Sequence, residues 1–154
     1  MGKWNNIHGQ THKDECKGCL PGLYGNELGM ISSGSCKECP AGKFNENYGL
    51  AEVFNCKECS TGRYSNGGSI ICVPCSPGKF TINMASPKCE DCPEGKYTKE
   101  SSSYICNDCP KNAEQNTKKT SCLCSKGMYD TLEHYPNLNC ISCNETFTCN
   151  INTN

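Results

Sequence analysis

The sequence predicts a small disulfide-rich fold that is mostly irregular, has short β-hairpins and forms an elongated tandem-repeat rod. Cysteine accounts for 17 of the 154 residues, about 11%, which exceeds the roughly 8–10% that marks a disulfide scaffold. Leu, Ile, Val and Phe together number only 21, too few for a sizeable apolar core. The cysteines recur in pairs whose first members lie 16 to 20 residues apart, too close for domains with their own cores.

The charge balance excludes several classes of partner. The formal net charge is −1, so no basic stripe is available for nucleic acid and no polybasic segment for an acidic membrane.

No apolar run approaches the roughly 18 residues of a membrane span, and the first residues lack the apolar core of a secretory signal. We expect no nucleic-acid partner, no membrane span in this chain and no enzyme. We interpret the chain as a piece of a longer protein or a chain whose signal was removed.

Cysteine pairs define the repeat, and repeats are the first feature to establish in such a chain. Seven pairs have the form Cys-x-x-Cys and one has the form Cys-x-Cys. The pairs are Cys16/Cys19, Cys36/Cys39, Cys56/Cys59, Cys72/Cys75, Cys89/Cys92, Cys106/Cys109, Cys122/Cys124 and Cys140/Cys143, and Cys149 stands alone. The chain is therefore an array of small units.

A glycine and an aromatic residue recur in phase with the pairs. The glycine lies three residues after the second cysteine and the aromatic five residues after it, in six of the eight units. These are Gly22/Tyr24, Gly42/Phe44, Gly62/Tyr64, Gly78/Phe80, Gly95/Tyr97 and Gly127/Tyr129. A nearby proline in five units favours a tight turn in which the glycine takes the last position. We expect the aromatic to cover a disulfide and to supply the unit's main buried apolar area.

The rest of each unit predicts an irregular hairpin and no helix. Polar stretches lead into short apolar steps such as Ile70-Ile71 before the next pair, and two or three residues are expected to pair on each side. One unit departs from the pattern, with Asn112 at the glycine position, where its tolerance of left-handed φ suits it, and Glu114 at the aromatic position. The predicted divisions are a tail of an upstream unit or a linker (1–15), tandem repeats (16–143) and a shortened capping loop with a tail (143–154).

Two disulfide registers fit the spacing, and sequence alone does not choose between them. In the interleaved register, Cys16–Cys36 accompanies Cys19–Cys39 and Cys149 is left over. The consecutive register is preferred because it explains the shortened final loop and leaves Cys16, as an unpaired or interchain residue, to close an upstream unit. Its bonds are Cys19–Cys36, Cys39–Cys56, Cys59–Cys72, Cys75–Cys89, Cys92–Cys106, Cys109–Cys122, Cys124–Cys140 and Cys143–Cys149. Each loop removes on the order of 3 kcal/mol of unfolded-state entropy.

The pattern Cys-x-x-Cys-(Pro/Ser)-x-Gly-x-(Tyr/Phe), as in 36–44 and 89–97, resembles the ephrin-receptor-like cysteine-rich repeat. This repeat is EGF-like in its turn chemistry and similar to the tumour-necrosis-factor-receptor module. The resemblance covers roughly residues 16–149 and extends to cysteine-rich surface proteins of protists, including ciliate immobilisation antigens. It implies extracellular stalks, surface coats and receptor ectodomains.

Metal and redox chemistry compete with the disulfide interpretation. The spacing of the pairs overlaps that of zinc ribbons, but the glycine and aromatic follow the pairs in one phase and only three histidines are present. A thioredoxin-like role needs a βαβ context that the sequence lacks. We therefore expect no cofactor and no metal, and an intracellular multi-zinc protein remains an alternative.

Few residues are candidates for catalysis or ion binding. His8, His12 and His134 do not recur in the repeat, and we interpret them as solvated surface residues. Asp14-Glu15-Cys16 is weakly similar to the start of a calcium-binding EGF unit, whereas the acidic residues beside other cysteines are interpreted as the outer face of turns. These are Glu38, Glu58, Glu90, Asp91 and Asp108. Catalytic residues are not predicted.

Four basic residues and one glycosylation acceptor are candidates for contacts with partners or glycans. Lys43, Arg63, Lys79 and Lys96 each precede the aromatic and are expected to line one side of the rod. They are interpreted as solvated charge, with an acidic glycan or protein as the other option. Asn144 begins an Asn-Glu-Thr glycosylation acceptor in the predicted cap. Trp4 lies in a lead expected to be unstructured.

The predicted function is that of an extracellular or cell-surface structural and interaction module, a rod serving as a stalk, coat or filament segment. Its partners are other protein chains or copies of itself. The first alternative is a receptor-type ectodomain that binds a specific protein ligand along its flank.

Overall fold

A computed structural model describes residues 1–7, 16–130 and 138–143. Its β-strands are two or three residues long, and the only helical elements in this part of the chain are 3-10 turns at Ser33–Ser35 and Val53–Asn55. The strands are β1 (Lys3–Trp4), β2 (Lys17–Gly18), β3 (Leu23–Tyr24), β4 (Lys37–Glu38), β5 (Lys43–Phe44), β6 (Lys57–Glu58), β7 (Arg63–Tyr64), β8 (Val73–Pro74), β9 (Lys79–Phe80), β10 (Glu90–Asp91), β11 (Lys96–Tyr97), β12 (Asn107–Asp108), β13 (Ala113–Gln115), β14 (Cys122–Cys124), β15 (Met128–Asp130) and β16 (Cys140–Ser142).

Within the described residues, consecutive strands pair as eight antiparallel hairpins, which confirms the predicted hairpins of two or three residues a side. The first strand carries the aromatic, and in most units the return strand is the pair of residues between two cysteines, so that Tyr64 faces Val73 and Phe44 faces Lys57. The apolar steps before the cysteines were expected to pair. This expectation was wrong, because Ile70 and Ile71 lie outside the strands and are more than half exposed.

The turn that begins each hairpin differs from the expected one. The Lys43 amide donates to the Pro40 carbonyl at 3.0 Å, so Gly42 is the third residue of the turn and not the last. Its φ is +83°, as the third position of a type II turn requires. Asn112 takes the same place with a φ of +62°, which confirms its predicted left-handed conformation.

Seven disulfides follow one another along the described part of the chain in the consecutive register. They are Cys19–Cys36, Cys39–Cys56, Cys59–Cys72, Cys75–Cys89, Cys92–Cys106, Cys109–Cys122 and Cys124–Cys140. We number the loops they close as units 1 to 7. Cys143 is also disulfide-bonded, but Cys149, its predicted partner, lies outside the described residues.

The interior of the rod consists mainly of cystines and short polar side chains, together with Met30. Cys19, Cys39, Cys59 and Cys92 are completely buried, whereas the hairpin aromatics are only partly buried. The expectation that the aromatics supply each unit's main buried apolar area stays a prediction. The completely buried residues of the array are thus mainly cystine sulfurs, which the partly buried aromatics accompany.

A buried polar position follows the hairpin aromatic, and the sequence analysis missed it. Asn45, Ser65, Thr81 and Thr98 occupy this position in units 2 to 5 and are at most 6% exposed. Each side chain has a hydrogen-bond partner: Asn45 Nδ2 donates to the Leu23 carbonyl of the preceding unit, and the Thr81 and Ser86 hydroxyls bond to each other at 2.6 Å. The recurrence of a small or polar residue directly after the aromatic was a signal in the sequence.

Backbone hydrogen bonds join each unit to the next. The residue after the aromatic donates its amide to a carbonyl one unit further along, as the Asn45 amide does to Ser69 at 3.0 Å. This bond occurs six times in the described residues. The pairs are Asn5 to Met30, Gly25 to Leu50, Asn45 to Ser69, Ser65 to Ser86, Thr81 to Ser103 and Thr98 to Lys119. The units therefore form a continuous hydrogen-bonded ladder.

Two further bonds make the contact between units reciprocal. The turn glycine donates to the next unit, as Gly42 does to the Ser65 carbonyl at 2.9 Å, and the next unit donates back through Gly68 to the Cys39 carbonyl at 2.9 Å. The donor of this return bond belongs to a second turn, which contains residues of positive φ, here Gly67 and Gly68. Such satisfied backbone groups stabilise a chain that has little apolar surface to bury.

Units 1 to 4 each also touch the unit after next. The turn glycine of unit 2, Gly42, lies so close to the Ala85 carbonyl of unit 4 that an added Cβ would overlap its oxygen. Gly22 meets the Gly68 carbonyl and Gly62 meets that of Ser102 in the same way. The rod is thus a tightly stacked array in which three consecutive units are in contact.

A buried hydroxyl tests whether the polar position stabilises the stack. Ser65 is fully buried, and its Oγ donates to the Lys43 carbonyl of the preceding unit at 2.7 Å. We expect Ser65→Ala to lower the free energy of unfolding by about 1 kcal/mol because the Lys43 carbonyl loses that donor. The exposed Ser60 is the control, and Ser60→Ala should cost less than about 0.5 kcal/mol. Guanidinium unfolding without reductant measures both, and equal effects would contradict the assignment.

Candidate functional site

Ion pairs lie along the outer face of the hairpins. Lys43 pairs with Glu58, Lys79 with Asp91 and Lys96 with Asp108, each across one hairpin. Three of the four predicted basic residues therefore have an acidic partner on the return strand, because the acidic residues beside the cysteines lie opposite them. Arg63 faces Pro74 instead and donates to the Cys72 carbonyl at 3.4 Å. The predicted row of basic residues therefore presents alternating charge and not a continuous basic surface.

Lysines between the cysteines of a pair form a second set of contacts. Lys57 lies 5.9 Å from the Phe44 ring centroid and pairs with Glu46, and Lys17 lies 5.4 Å from the Trp4 ring. A hydrogen bond to Glu27, together with its charge, raises the pKa of Lys37. These exposed pairs each contribute little to stability, since solvent screens them.

The Lys79–Asp91 pair gives a testable titration. The hydrogen bond and charge of Lys79 lower the pKa of Asp91, so the stabilisation is present above the ordinary carboxyl pKa and is lost as the pH falls through the lowered value. We expect Lys79→Ala to return the Asp91 pKa towards its ordinary value, as measured by NMR of the side-chain carboxyl. Lys43→Ala, which affects another hairpin, should leave the Asp91 titration unchanged. An unchanged Asp91 pKa in the Lys79 variant would show that the pair does not persist in solution.

Large apolar side chains project from the rod into solvent. Leu28 is 80% exposed, Phe54 76% and Tyr48 71%. They lie in units 1 and 2, in the long loops that connect the two strands of a hairpin.

The leading end of the rod differs from the interior. Residues 1–7 contain a β-strand that pairs with Lys17–Gly18, so Trp4 lies half-buried in a hairpin and the expectation of an unstructured lead was wrong. Cys16 is partly exposed and is the free cysteine of the described residues. Asn5 Nδ2 is buried there without a hydrogen-bond partner.

Several predicted residues lie outside the described part of the chain: His8, His12, Asp14, Glu15, His134, Asn144 and Cys149. Within the described residues, no group of three or more His, Cys, Asp or Glu side chains is placed to hold a metal ion. Fourteen cysteines that a zinc site would need are engaged in the seven disulfides. No helix in this part is long and apolar enough to cross a bilayer.

The comparisons with known proteins assign no family. No protein-family model matches the chain, and no curated protein is significantly similar to it. The cysteine-rich tandem repeat is therefore established by the chain's own pairing and register.

Proposed function

We propose that this protein is an extracellular structural and interaction module, a disulfide-linked rod that serves as a segment of a surface stalk, coat or filament. The observation that supports it is the unbroken succession of seven disulfides, whose buried sulfurs take the place of an apolar core. Disulfides of this kind form and persist in oxidising compartments. The module has no catalytic role and acts through contacts with other protein chains or with copies of itself.

The ladder between units suits the proposed role. A stalk or coat must keep its shape without a large core, and here every joint of units 1 to 5 combines backbone bonds in both directions with a cross-link in each unit. A single cut or local opening then leaves the neighbouring units closed by their own disulfides. The alternating ion pairs on the hairpin face keep the surface soluble without attracting polyanions.

A thiol count tests the proposal. Protein recovered without reductant and treated with iodoacetamide should carry one alkylated cysteine, Cys16, with sixteen protected when the predicted Cys143–Cys149 bond is included. Mass spectrometry measures the number directly. Seventeen alkylated cysteines would contradict the proposal, and stoichiometric zinc in the same preparation would favour the intracellular metal-binding alternative.

A receptor-type ectodomain is the second candidate, favoured by the exposed Leu28, Tyr48 and Phe54. Sedimentation separates the two roles. A coat or filament segment should assemble at high ionic strength or through Cys16, whereas a receptor segment should remain monomeric with Cys16 capped. Binding of an acidic glycan along the basic side of the rod is the least favoured option, because Lys43, Lys79 and Lys96 already have acidic partners.

A further inference from the structure

Unit 3 is the exception to the charge pairing along the hairpins. In units 2, 4 and 5, the lysine before the aromatic pairs with an acidic residue of the return strand. In unit 3 the return strand is Val73–Pro74, so that Arg63 faces Pro74. A guanidinium has five N–H donors, and that of Arg63 donates to the Cys72 carbonyl at 3.4 Å. Within the described residues, Arg63 therefore has no acidic partner.

Arg63 borders a depression between the hairpins of units 2 and 3, which we call the unit 3 groove. Its volume is about 440 Å³. Its lining residues are Phe44, Glu58, Ser60, Arg63, Ile71 and Cys72. Glu58 is already paired with Lys43 at 3.1 Å, and Ile71 is 61% exposed. The unit 3 groove therefore combines apolar side chains with one positive charge that no described residue balances.

The corresponding depression one unit further along lacks this combination. Lys79 borders it, but Lys79 pairs with Asp91, and Lys88 takes the place of Ile71. In unit 3, Ile70 directly precedes Ile71 and is 53% exposed, which extends the apolar surface. Arginine and aromatic side chains are enriched at protein interfaces. The unit 3 groove therefore fits a protein segment that places a carboxylate beside a large apolar side chain.

The chain itself carries a segment of this chemistry. Glu52 has no ion pair among the described residues and directly precedes Val53 and Phe54, which are 37% and 76% exposed. A 3-10 turn at Val53–Asn55, closed by a bond from the Asn55 amide to the Glu52 carbonyl at 3.1 Å, holds the segment. Other described acidic residues without an ion pair adjoin no large exposed apolar residue. They are Glu38, Glu90, Glu94, Glu100 and Glu114.

We propose that the unit 3 groove binds segment 52–54 of a second copy of this chain, with the Glu52 carboxylate against Arg63 and the Phe54 ring against Ile71. The proposal rests on the proposed role as a coat or filament segment and names the contact by which copies join. Complementary charge selects the segment that enters the groove. Because the segment and the groove are different surfaces, the contact is heterologous, and association continues beyond a dimer.

Charge reversal tests the contact. Every protein carries Cys16→Ala, which excludes dimers linked through Cys16, and sedimentation velocity is measured at about 0.1–1 mM protein, since small contacts are weak. The parent protein should associate. Arg63→Glu and Glu52→Arg should each weaken association at least about tenfold, and the double variant should restore it. The matched controls reverse exposed charges elsewhere, and Lys111→Glu and Glu100→Arg should associate like the parent.

Mixing tests whether two different surfaces meet. Arg63→Glu keeps the segment and loses the groove, whereas Phe54→Ser keeps the groove and loses the exposed ring of the segment. Each variant alone should sediment as a monomer. An equimolar mixture should form one-to-one pairs and nothing larger, because each pair has only one intact segment and one intact groove. A mixture that stays monomeric would contradict the contact.

The remaining outcomes separate this contact from the proposed function. If the parent stays monomeric, the groove is left to an acidic partner protein or to solvent, and the contact between copies is refuted while the rod stands. Single reversals that associate like the parent, or a double variant that does not recover, also refute it. An alkylation count on the same samples checks the seven disulfides, and if these are absent the proposed function itself fails.

Discussion

Replacing Gly42 by alanine is expected to destabilise the array more than any other single turn substitution of the same kind. The position has a φ of +83° and its missing Cβ would overlap the Ala85 carbonyl oxygen two units away. Left-handed strain and forced overlap each cost about 1–3 kcal/mol. We therefore expect a loss of about 3–5 kcal/mol, because neither carbonyl nor turn can move without breaking ladder bonds.

Gly95 supplies the matched control for Gly42. Its φ is +75°, yet nothing lies within 4 Å of the place that a Cβ would take. Gly95→Ala should cost only the backbone strain, about 1 kcal/mol. Hydrogen exchange reports each site locally, since the Cys59 amide donates to Gly42 and the Cys109 amide to Gly95. Equal acceleration at Cys59 and Cys109 would contradict the contact between alternate units.

Removal of one cystine should have the second large effect. The double variant Cys59→Ala with Cys72→Ala opens unit 3 and removes a buried cystine. We expect a loss of about 2–5 kcal/mol, because the unfolded chain regains the freedom of the loop and the interior loses its packing. Exchange should also accelerate in units 2 and 4, whose amides bond to unit 3.

Cys16→Ala is the control for this cystine variant. Cys16 is free and partly exposed, so its loss should change the free energy of unfolding by less than about 0.5 kcal/mol. Guanidinium unfolding without reductant compares the two proteins. If opening unit 3 costs no more than removing Cys16, the cystines do not replace a core and the account is wrong.

The cysteine and glycine spacing was sufficient to predict the repeat and the hairpins. Each of these residues has a requirement that few others meet: only cysteine forms the cross-link, and the turn needs a positive φ, which Asn112 also adopts. The same spacing left the disulfide register open. The two cysteines of a pair are only two or three residues apart, so either of them fits the distance to the next pair.

The contacts between units could not be predicted from side chains. The ladder uses backbone amides and carbonyls, so the second turn tolerates residues as different as Gly49, Ala85, Ser102 and Lys119 and shows no motif. The burial of Ser65 and Thr81 was missed because a short polar residue after an aromatic is ordinary in a hairpin. Only the closeness of stacked units makes that position buried.

The leading end was predicted only in part. Cys16 was expected to belong to an upstream unit, but residues 1–7 were treated as a tail because they contain no cysteine. Gly2 and Trp4 have the same spacing as Gly42 and Phe44, and this spacing was the available signal. This spacing was overlooked because no cysteine precedes Gly2 in the sequence.

Tryptic mapping without reduction tests the central claim, that consecutive cystines hold the array, most directly. Lys17 and Lys37 lie between the cysteines of their pairs, so cleavage after both releases residues 18–37. The account predicts that this peptide contains its own Cys19–Cys36 bond and that peptide 38–43 is linked to peptide 44–57 through Cys39–Cys56. Linkage of peptide 18–37 to the peptides containing Cys16 and Cys39, or recovery of all of these cysteines as thiols, would contradict it.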